Sequence, residues 1–179
     1  MESDSLSLII IIFCVIMSAY FSATETAFSS LNRIRVKNMA EKGNKKAALV
    51  LRLSDNYDGL LSTILIGNNI VNIASASLAT LIFVKYLGEE AGASISTVVT
   101  TIVVLIFGEV SPKSIAKENP ESFAMFSAPF LGLLMKILTP ANFLFKQWKK
   151  LLSKIIKAEG DYRGGASDDS RRGRTGRWN

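Results

Sequence analysis

Residues 107–114, which read FGEVSPKS, govern the interpretation of this chain. They follow residues 94–106, a run of apolar and small residues without a charge. Glu109 therefore stands at the end of a membrane-like segment, where a charged side chain costs roughly 2.5–3.5 kcal/mol or more. Pro112 has no backbone N–H, so in a helix it leaves the carbonyl of Gly108 without its usual donor. A free carbonyl beside a carboxylate predicts half of a cation site; the alternative is a helix that ends at the interface with Glu109 in water.

The composition indicates a membrane protein that is not an enzyme. Its 179 residues are 49% hydrophobic, and several apolar runs of about 20 residues are unusual in a soluble domain. Histidine is absent, which excludes Ser-His-Asp catalysis and imidazole metal ligands. Cys14 is the single cysteine, so a disulfide within the chain and a thiolate cluster are also excluded. The oxygen ligands that remain suit magnesium, calcium or sodium.

Three hydrophobic segments predict an all-α membrane protein with three transmembrane helices. They cover residues 6–29, residues 58–86, and the stretch from residue 94 into FGEVSPKS, with residues 86–93 as the turn between the last two. Lysines and arginines are concentrated between residues 33 and 52. The positive-inside rule then puts this connector in the cytoplasm and the N-terminus outside. We expect a multi-pass protein of the cell (plasma) membrane with a cytoplasmic C-terminus.

Shorter helices are predicted on the cytoplasmic side. Residues 33–56 combine charged and apolar residues at helical spacing, and Gly43-Asn44 interrupts them. This pattern favours two amphipathic helices at the inner interface over a solvated loop. Residues 122–138 are apolar around Pro129. Because a crossing there would place the following lysines outside, we predict a re-entrant pair of half-helices, with a fourth span as the alternative.

The last part of the chain predicts where the domain ends. Residues 142–158 combine aromatic and aliphatic residues with lysines at helical spacing, which predicts a juxtamembrane amphipathic helix. Residues 160–179 are rich in Gly, Arg, Ser and Asp and predict a disordered tail. We therefore expect a transmembrane domain over residues 1–158 and a tail over residues 159–179.

Polar side chains recur inside the second predicted span. Asn68, Asn72 and Ser75 follow an i, i+4, i+7 pattern, which puts them on one face of a helix. Such a stripe is compatible with ion ligation, and equally with hydrogen bonds that only hold helices together.

The first predicted span has a polar end of its own. Ser18 and Ser22 share a helix face, and Glu25 follows three residues later. These serines either bond back to their own helix carbonyls or face a site. Since Glu25 and Glu109 both lie at cytoplasmic ends in this topology, we hypothesise a negatively charged cavity open to the cytoplasm.

Three segments together resemble a known family. YFSATETAF, LLSTILIGNNIVN and FGEVSPKSIA, in this order and spacing, are similar to the transmembrane domain of the CNNM/CorC magnesium transporters. The resemblance covers about residues 6–157. It implies a homodimer in the lipid bilayer that exports Mg²⁺, coupled to Na⁺ entry, through a largely dehydrated ion held between the spanning helices.

The resemblance also implies a set of magnesium ligands. The corresponding positions in this chain are Ser22, Ser62, Asn68, the carbonyl of Gly108, and Glu109. Thr63 is an alternative to Ser62, and Asn69 and Asn72 are further candidates.

Some expectations concern what this chain lacks. Family members usually continue into a nucleotide-binding CBS-domain pair, to which residues 160–179 bear no likeness, so we expect no ATP site in this chain. Nucleic acid is not an expected partner. The alternative function is a non-transporting membrane scaffold or sensor module, whose thermal stability magnesium would leave unchanged.

Overall fold

The structure is a computed structural model that describes residues 2–140 and residue 147. Its bounds, in chain order, are α1 (Glu2–Ser30), α2 (Arg33–Glu41), α3 (Lys45–Asp55), α4 (Tyr57–Leu87), α5 (Glu89–Val103), a π-helix (Val104–Val110), α6 (Ser111–Glu118) and α7 (Pro120–Ile137). The predicted helix at residues 142–158 is, apart from residue 147, outside the described residues. The tail and the domain boundary at residue 158 are outside them entirely.

Three helices are long and apolar enough to cross a membrane. They are Asp4–Ser30, Tyr57–Leu87 and Glu89–Glu118, and they confirm the predicted number of spans over the part of the chain that the structure describes. The third combines α5, the π-helix and α6 without a break. At about 1.5 Å per residue, each exceeds the 30 Å of a bilayer core.

The turn between the second and third spans is much shorter than predicted. Gly88 alone separates α4 from α5, and its φ of +85° is one that glycine adopts without a steric penalty. The polar residues Glu89 and Glu90 were expected to belong to a loop, but they form the first turn of α5. Acidic side chains are favourable there because they face the positive end of the helix dipole.

The connector after α1 forms two short helices, as the sequence predicted. Asn32 caps α2 by accepting a hydrogen bond from the backbone N–H of Arg35. Gly43 then ends α2 with a φ of +92°, and Asn44 caps α3 through the N–H groups of Lys46 and Ala47. These side-chain acceptors satisfy backbone donors that the helix starts leave free.

The prediction of two half-helices at residues 122–138 is wrong. The segment forms one helix, α7, which continues through Pro129. Proline removes only one backbone hydrogen bond, and packing around it offsets the loss, because Ala128 and Leu131 are fully buried. Tyr20 also fastens α7 to α1, since its hydroxyl donates to the carbonyl of Ser127 at 3.0 Å.

The core lies around the second half of α1. Its buried members come from α1, α2, α3, the start of α4, α6 and α7. The first half of α1 instead exposes large apolar side chains, which suits a surface that faces lipid: Leu6, Leu8, Ile9, Ile12, Phe13 and Ile16. Ser18 and Ser22 therefore lie where α1 changes from its exposed apolar half to its packed half.

Helices α1 and α4 pack antiparallel, and this packing determines which polar residues of the two helices lie opposite each other. The ring of Phe21 lies directly over Gly67, where an added Cβ would come 2.4 Å from the ring. At the far end, the ammonium of Lys85 lies 2.6 and 2.7 Å from the two carboxylate oxygens of Asp4. These two contacts bring the level of Ser18 opposite the level of Asn68.

Candidate ion site

Three helices meet at a crossing of small and polar residues. The hydroxyl of Ser18 on α1 donates to the amide oxygen of Asn68 on α4 at 3.0 Å. Gly108 of the third span faces the same serine, and a Cβ added there would come 2.9 Å from the hydroxyl oxygen of Ser18. The absence of a side chain at Gly108 therefore lets its backbone approach the pair.

Ser22 lies one turn further along α1 and carries an unsatisfied hydroxyl. Its residue is 1% exposed, and its Oγ has no hydrogen-bond partner among the described residues. Burying a polar group without a partner costs about 1–3 kcal/mol, so native proteins usually avoid it. A bound ion or an ordered water would supply the missing contact.

The polar stripe of α4 repeats this feature. The amide oxygen of Asn72 and the hydroxyl of Ser75 are buried and lack a partner within the described part of the chain. Both lie on the face of α4 that carries Asn68, as the spacing predicted. Beside Asn68, which bonds to Ser18, this face of α4 thus presents two buried polar atoms that make no hydrogen bond to another helix within the described residues.

The third span widens into a π-helix where it carries FGEV. The N–H of Ser111 bonds to the carbonyl of Ile106, five residues earlier, and the π-helix covers Val104–Val110. Pro112 is the second residue of α6 and has no backbone N–H to donate to the preceding turn. The predicted interruption by Pro112 is therefore a local widening within a continuous helix. Such π segments inside α-helices are frequent at functional sites.

Two consecutive residues of the π-helix have different surroundings. Gly108 is buried against α1. Glu109 is half-buried and lines an open, groove-like cavity of about 300 Å³, which Asn72 and the exposed residues Thr97 and Thr101 also line. Since Asn68 and Asn72 are one turn apart on the same face of α4, the cavity adjoins the crossing at Ser18.

Few carboxylates stand near this cluster. Within the described residues there is no group of three or more His, Cys, Asp or Glu side chains that could hold a metal ion. An ion at the crossing would therefore be held mainly by hydroxyl, amide and carbonyl oxygens, with Glu109 as the nearby charge. Such hard oxygen ligands suit Mg²⁺ or Na⁺ rather than a soft transition metal.

Comparison with known proteins assigns the family. The family model of the cyclin M (CNNM) transmembrane N-terminal domain matches residues 9–169. The chain belongs to the CNNM transmembrane-domain family. A UPF0053 protein of Haemophilus influenzae is 41% identical over 158 residues, covering 87% of this chain and 37% of the relative. The UPF0053 inner membrane protein YfjD of Escherichia coli is 40% identical, covering 81% of this chain and 34% of the relative.

More distant relatives occur in chloroplasts. The DUF21 domain-containing protein At1g55930 of Arabidopsis thaliana is 33% identical over 144 residues, which are 80% of this chain and 22% of the relative. This CNNM chain thus spans about a third of the length of the bacterial relatives and less of the plant one. The shared region is the multi-pass membrane part.

The CNNM domain brings some predicted ligands together and leaves others apart. Asn68 and Gly108 meet at Ser18, with Ser22 one turn away. Ser62 is half-buried and donates to the carbonyl of Asp58 in its own helix. Six residues separate Ser62 from Asn68, which places the two roughly 120° apart around α4.

The alternative positions on α4 also differ from one another. Thr63 is fully buried and donates to the carbonyl of Gly59. Asn69 is exposed. Of the two alternative asparagines, Asn72 is the one that shares a face with Asn68 and a cavity with Glu109.

Glu25 and Glu109, the two carboxylates of the hypothesised cytoplasmic cavity, have different surroundings in the structure. Glu109 lines the cavity described above, but Glu25 does not. The carboxylate of Glu25 instead lies 3.4 Å from the ammonium of Lys113, one helix away. Lys113 thus compensates the negative charge of Glu25 near the C-terminal end of α1.

Sequence reasoning did not select Ser18 as a site residue. The signal was its i, i+4 spacing with Ser22, but a serine pair on a membrane helix commonly bonds back to its own helix. In the structure Ser18 bonds to another helix. This difference depends on which helix face meets Gly108, and that is a tertiary property.

Proposed function

We propose that this CNNM domain transports Mg²⁺, exporting it in exchange for Na⁺ entry. The proposed ion site comprises Ser22, Asn68, the Gly108 carbonyl and Glu109, with Ser18 added and Ser62 kept from the family resemblance. The buried, unpartnered hydroxyl of Ser22 beside the Ser18–Asn68 bond is the observation that carries the proposal. The family assignment supports it.

The proposed chemistry follows from the donor set. Mg²⁺ takes six oxygens at about 2.0–2.1 Å and loses its water reluctantly. Buried hydroxyl, amide and carbonyl oxygens would replace part of that water shell, and Glu109 would supply one negative charge. A site with a single carboxylate under-neutralises a divalent ion, so the ion can leave again, as transport requires.

Asn68→Ala is the variant that tests this function. In vesicles containing the purified protein, we expect Mg²⁺ flux to fall at least about tenfold, because the amide oxygen at the crossing is lost. Asn69→Ala is the matched control, since Asn69 is adjacent but exposed and should retain flux. Equal flux in both variants would contradict the site. If an imposed Na⁺ gradient does not change the Mg²⁺ flux, only the proposed coupling to Na⁺ is contradicted.

Ser22→Ala distinguishes a magnesium ligand from a packing residue, because a ligand's loss affects stability differently without and with magnesium. Without magnesium, the variant should be as stable as the parent or about 1 kcal/mol more stable, because an unsatisfied buried hydroxyl is removed. With magnesium, the stabilisation seen in the parent should be lost. Thermal unfolding in 0 and 10 mM MgCl₂, about a tenfold excess over a millimolar site, measures both. Unchanged magnesium stabilisation would favour the scaffold function instead.

In the proposed orientation the protein lies in the cell (plasma) membrane with its N-terminus outside, and α2, α3 and the C-terminus are on the cytoplasmic side. In a Cys14→Ala background, Glu90→Cys should react in intact cells with a membrane-impermeant maleimide, because Glu90 is exposed near the Gly88 turn. Lys45→Cys should react only after the cells are opened. The reverse pattern would invert the topology. The proposed homodimer is tested by the mass of the purified protein in detergent.

A further inference from the structure

The cavity beside Glu109 extends well beyond the crossing at Ser18. Asn72 lines it on α4, and Thr80 lines it two turns further on, roughly 12 Å along the helix axis. Since α4 and α5 are antiparallel, this direction leads toward the Gly88 turn. The hydroxyl-bearing residues of the lining are Thr80, Ser96, Thr97, Thr100 and Thr101.

Two hydroxyl groups of this cavity already donate their protons within their own helices. Thr97 donates to the carbonyl of Ala93 at 2.9 Å. Thr80 donates to the carbonyl of Ala76 at 2.9 Å and lies 3.1 Å from the hydroxyl of Ser96. Because a hydroxyl has one proton and two lone pairs, the oxygens of Thr97 and Thr80 remain available as acceptors.

The inner end of the cavity adds stronger acceptors. The amide oxygen of Asn72 is buried and has no hydrogen-bond partner among the described residues. Glu109 contributes a carboxylate, the one acidic residue of the lining. Much of the remaining lining is apolar, with Val104 and Leu105 among it. Its one charge is negative and its polar groups include free acceptor oxygens, a combination that attracts cations and repels anions.

The size of the cavity distinguishes it from the tight crossing. A volume of about 300 Å³ has room for roughly ten waters at about 30 Å³ each. That is enough for a cation that keeps most of its first water shell. At the crossing, by contrast, Gly108 and Ser18 are in direct contact.

We propose that this cavity is a second cation position, which holds a hydrated cation through threonine and serine oxygens with Glu109 at its inner end. The role of this second cation position in transport rests on the proposed function, but the experiment that tests the position does not. The cation sits on the Gly88 side of the Ser18–Asn68 crossing and keeps its water there. Dehydration takes place only at the crossing, where oxygens from three helices replace the water.

The test is the reaction of introduced cysteines with charged methanethiosulfonate reagents, in a Cys14→Ala background and without magnesium. Thr97→Cys and Thr101→Cys place the thiol in the cavity. Val98→Cys is the matched control, since Val98 is an exposed apolar residue adjacent to Thr97. A thiol in lipid does not ionise and reacts slowly. Two cavity positions are used so that one poorly folded variant does not remove the test; folding is checked by thermal unfolding.

We expect the cavity cysteines to react at least about tenfold faster than Val98→Cys, and the cationic reagent to react about tenfold faster than the anionic one. Adding Glu109→Gln should remove that charge preference. Equal rates at Thr97→Cys and Val98→Cys would overturn the proposal, because lipid or another chain would then fill the cavity. Equal rates for the two reagents would also overturn it. Neither result depends on whether Asn68→Ala alters Mg²⁺ flux.

Discussion

Replacing Glu109 by glutamine is expected to raise the dissociation constant for magnesium by about 100-fold, ~3 kcal/mol. The substitution keeps the shape of the side chain and removes its charge. Glu109 is the one carboxylate that lines the cavity, so its loss leaves an ion at the adjoining crossing with neutral oxygens only. Titration calorimetry on the purified protein measures the change.

Glu90→Gln provides the control for the charge change. Glu90 lies in the first turn of α5 and is exposed, so its loss alters the net charge equally without touching the cavity. Magnesium affinity should be within about twofold of the parent in this control. If Glu109→Gln behaves like Glu90→Gln, the carboxylate in FGEVSPKS has no part in ion binding, and the half-site first inferred from that stretch is wrong.

Gly92→Val is expected to cause the largest loss of stability, about 3 kcal/mol or more. A Cβ at this position would come 2.6 Å from Cα of Val84 and 2.7 Å from the carbonyl oxygen of Phe83. These are backbone atoms, which cannot rotate away as a side chain can. The hairpin of α4 and α5 would therefore have to open.

Ala93→Val is the matched variant for this experiment. Ala93 is the next residue of α5 and is exposed, so the added methyl groups meet lipid or water. Denaturant or thermal unfolding should show Ala93→Val close to the parent and Gly92→Val much less stable. Comparable stability of both variants would mean that α4 and α5 do not approach as closely as the structure shows.

Local patterns predicted the parts of the fold that local interactions decide. The apolar runs predicted three spans, and Gly43-Asn44 predicted the break between α2 and α3. These features depend on hydropathy and on hydrogen bonds within a few residues. The family resemblance pointed to the same segments that the structure brings together.

Features that depend on packing between helices were predicted less well. The acidic residues near Gly92 resembled a loop, yet Gly92 is a helical residue whose small size permits the close approach of α4. Pro129 resembled a break, yet α7 continues through it because its neighbours are buried against α1 and α3. Neither outcome is visible in a single helix considered alone.

The candidate site shows the same division. Helical spacing placed Asn68, Asn72 and Ser75 on one face, and the structure agrees. Helical spacing could not show that Ser18 would bond to Asn68, or which groups Gly108 and Glu109 of the π-helix would meet. A π-helix has no strong sequence signature, since it differs from an α-helix by one extra residue in a turn.

An experimental structure with Mn²⁺, a hard divalent stand-in for Mg²⁺, tests the central claim most directly through anomalous scattering. We expect one strong peak at the crossing, about 2.0–2.3 Å from the amide oxygen of Asn68 and the hydroxyl of Ser22, with Glu109 in direct or water-mediated reach. Clear density for these side chains with no anomalous peak between them, while Mn²⁺ occupies only surface carboxylates such as Glu89, would contradict the account.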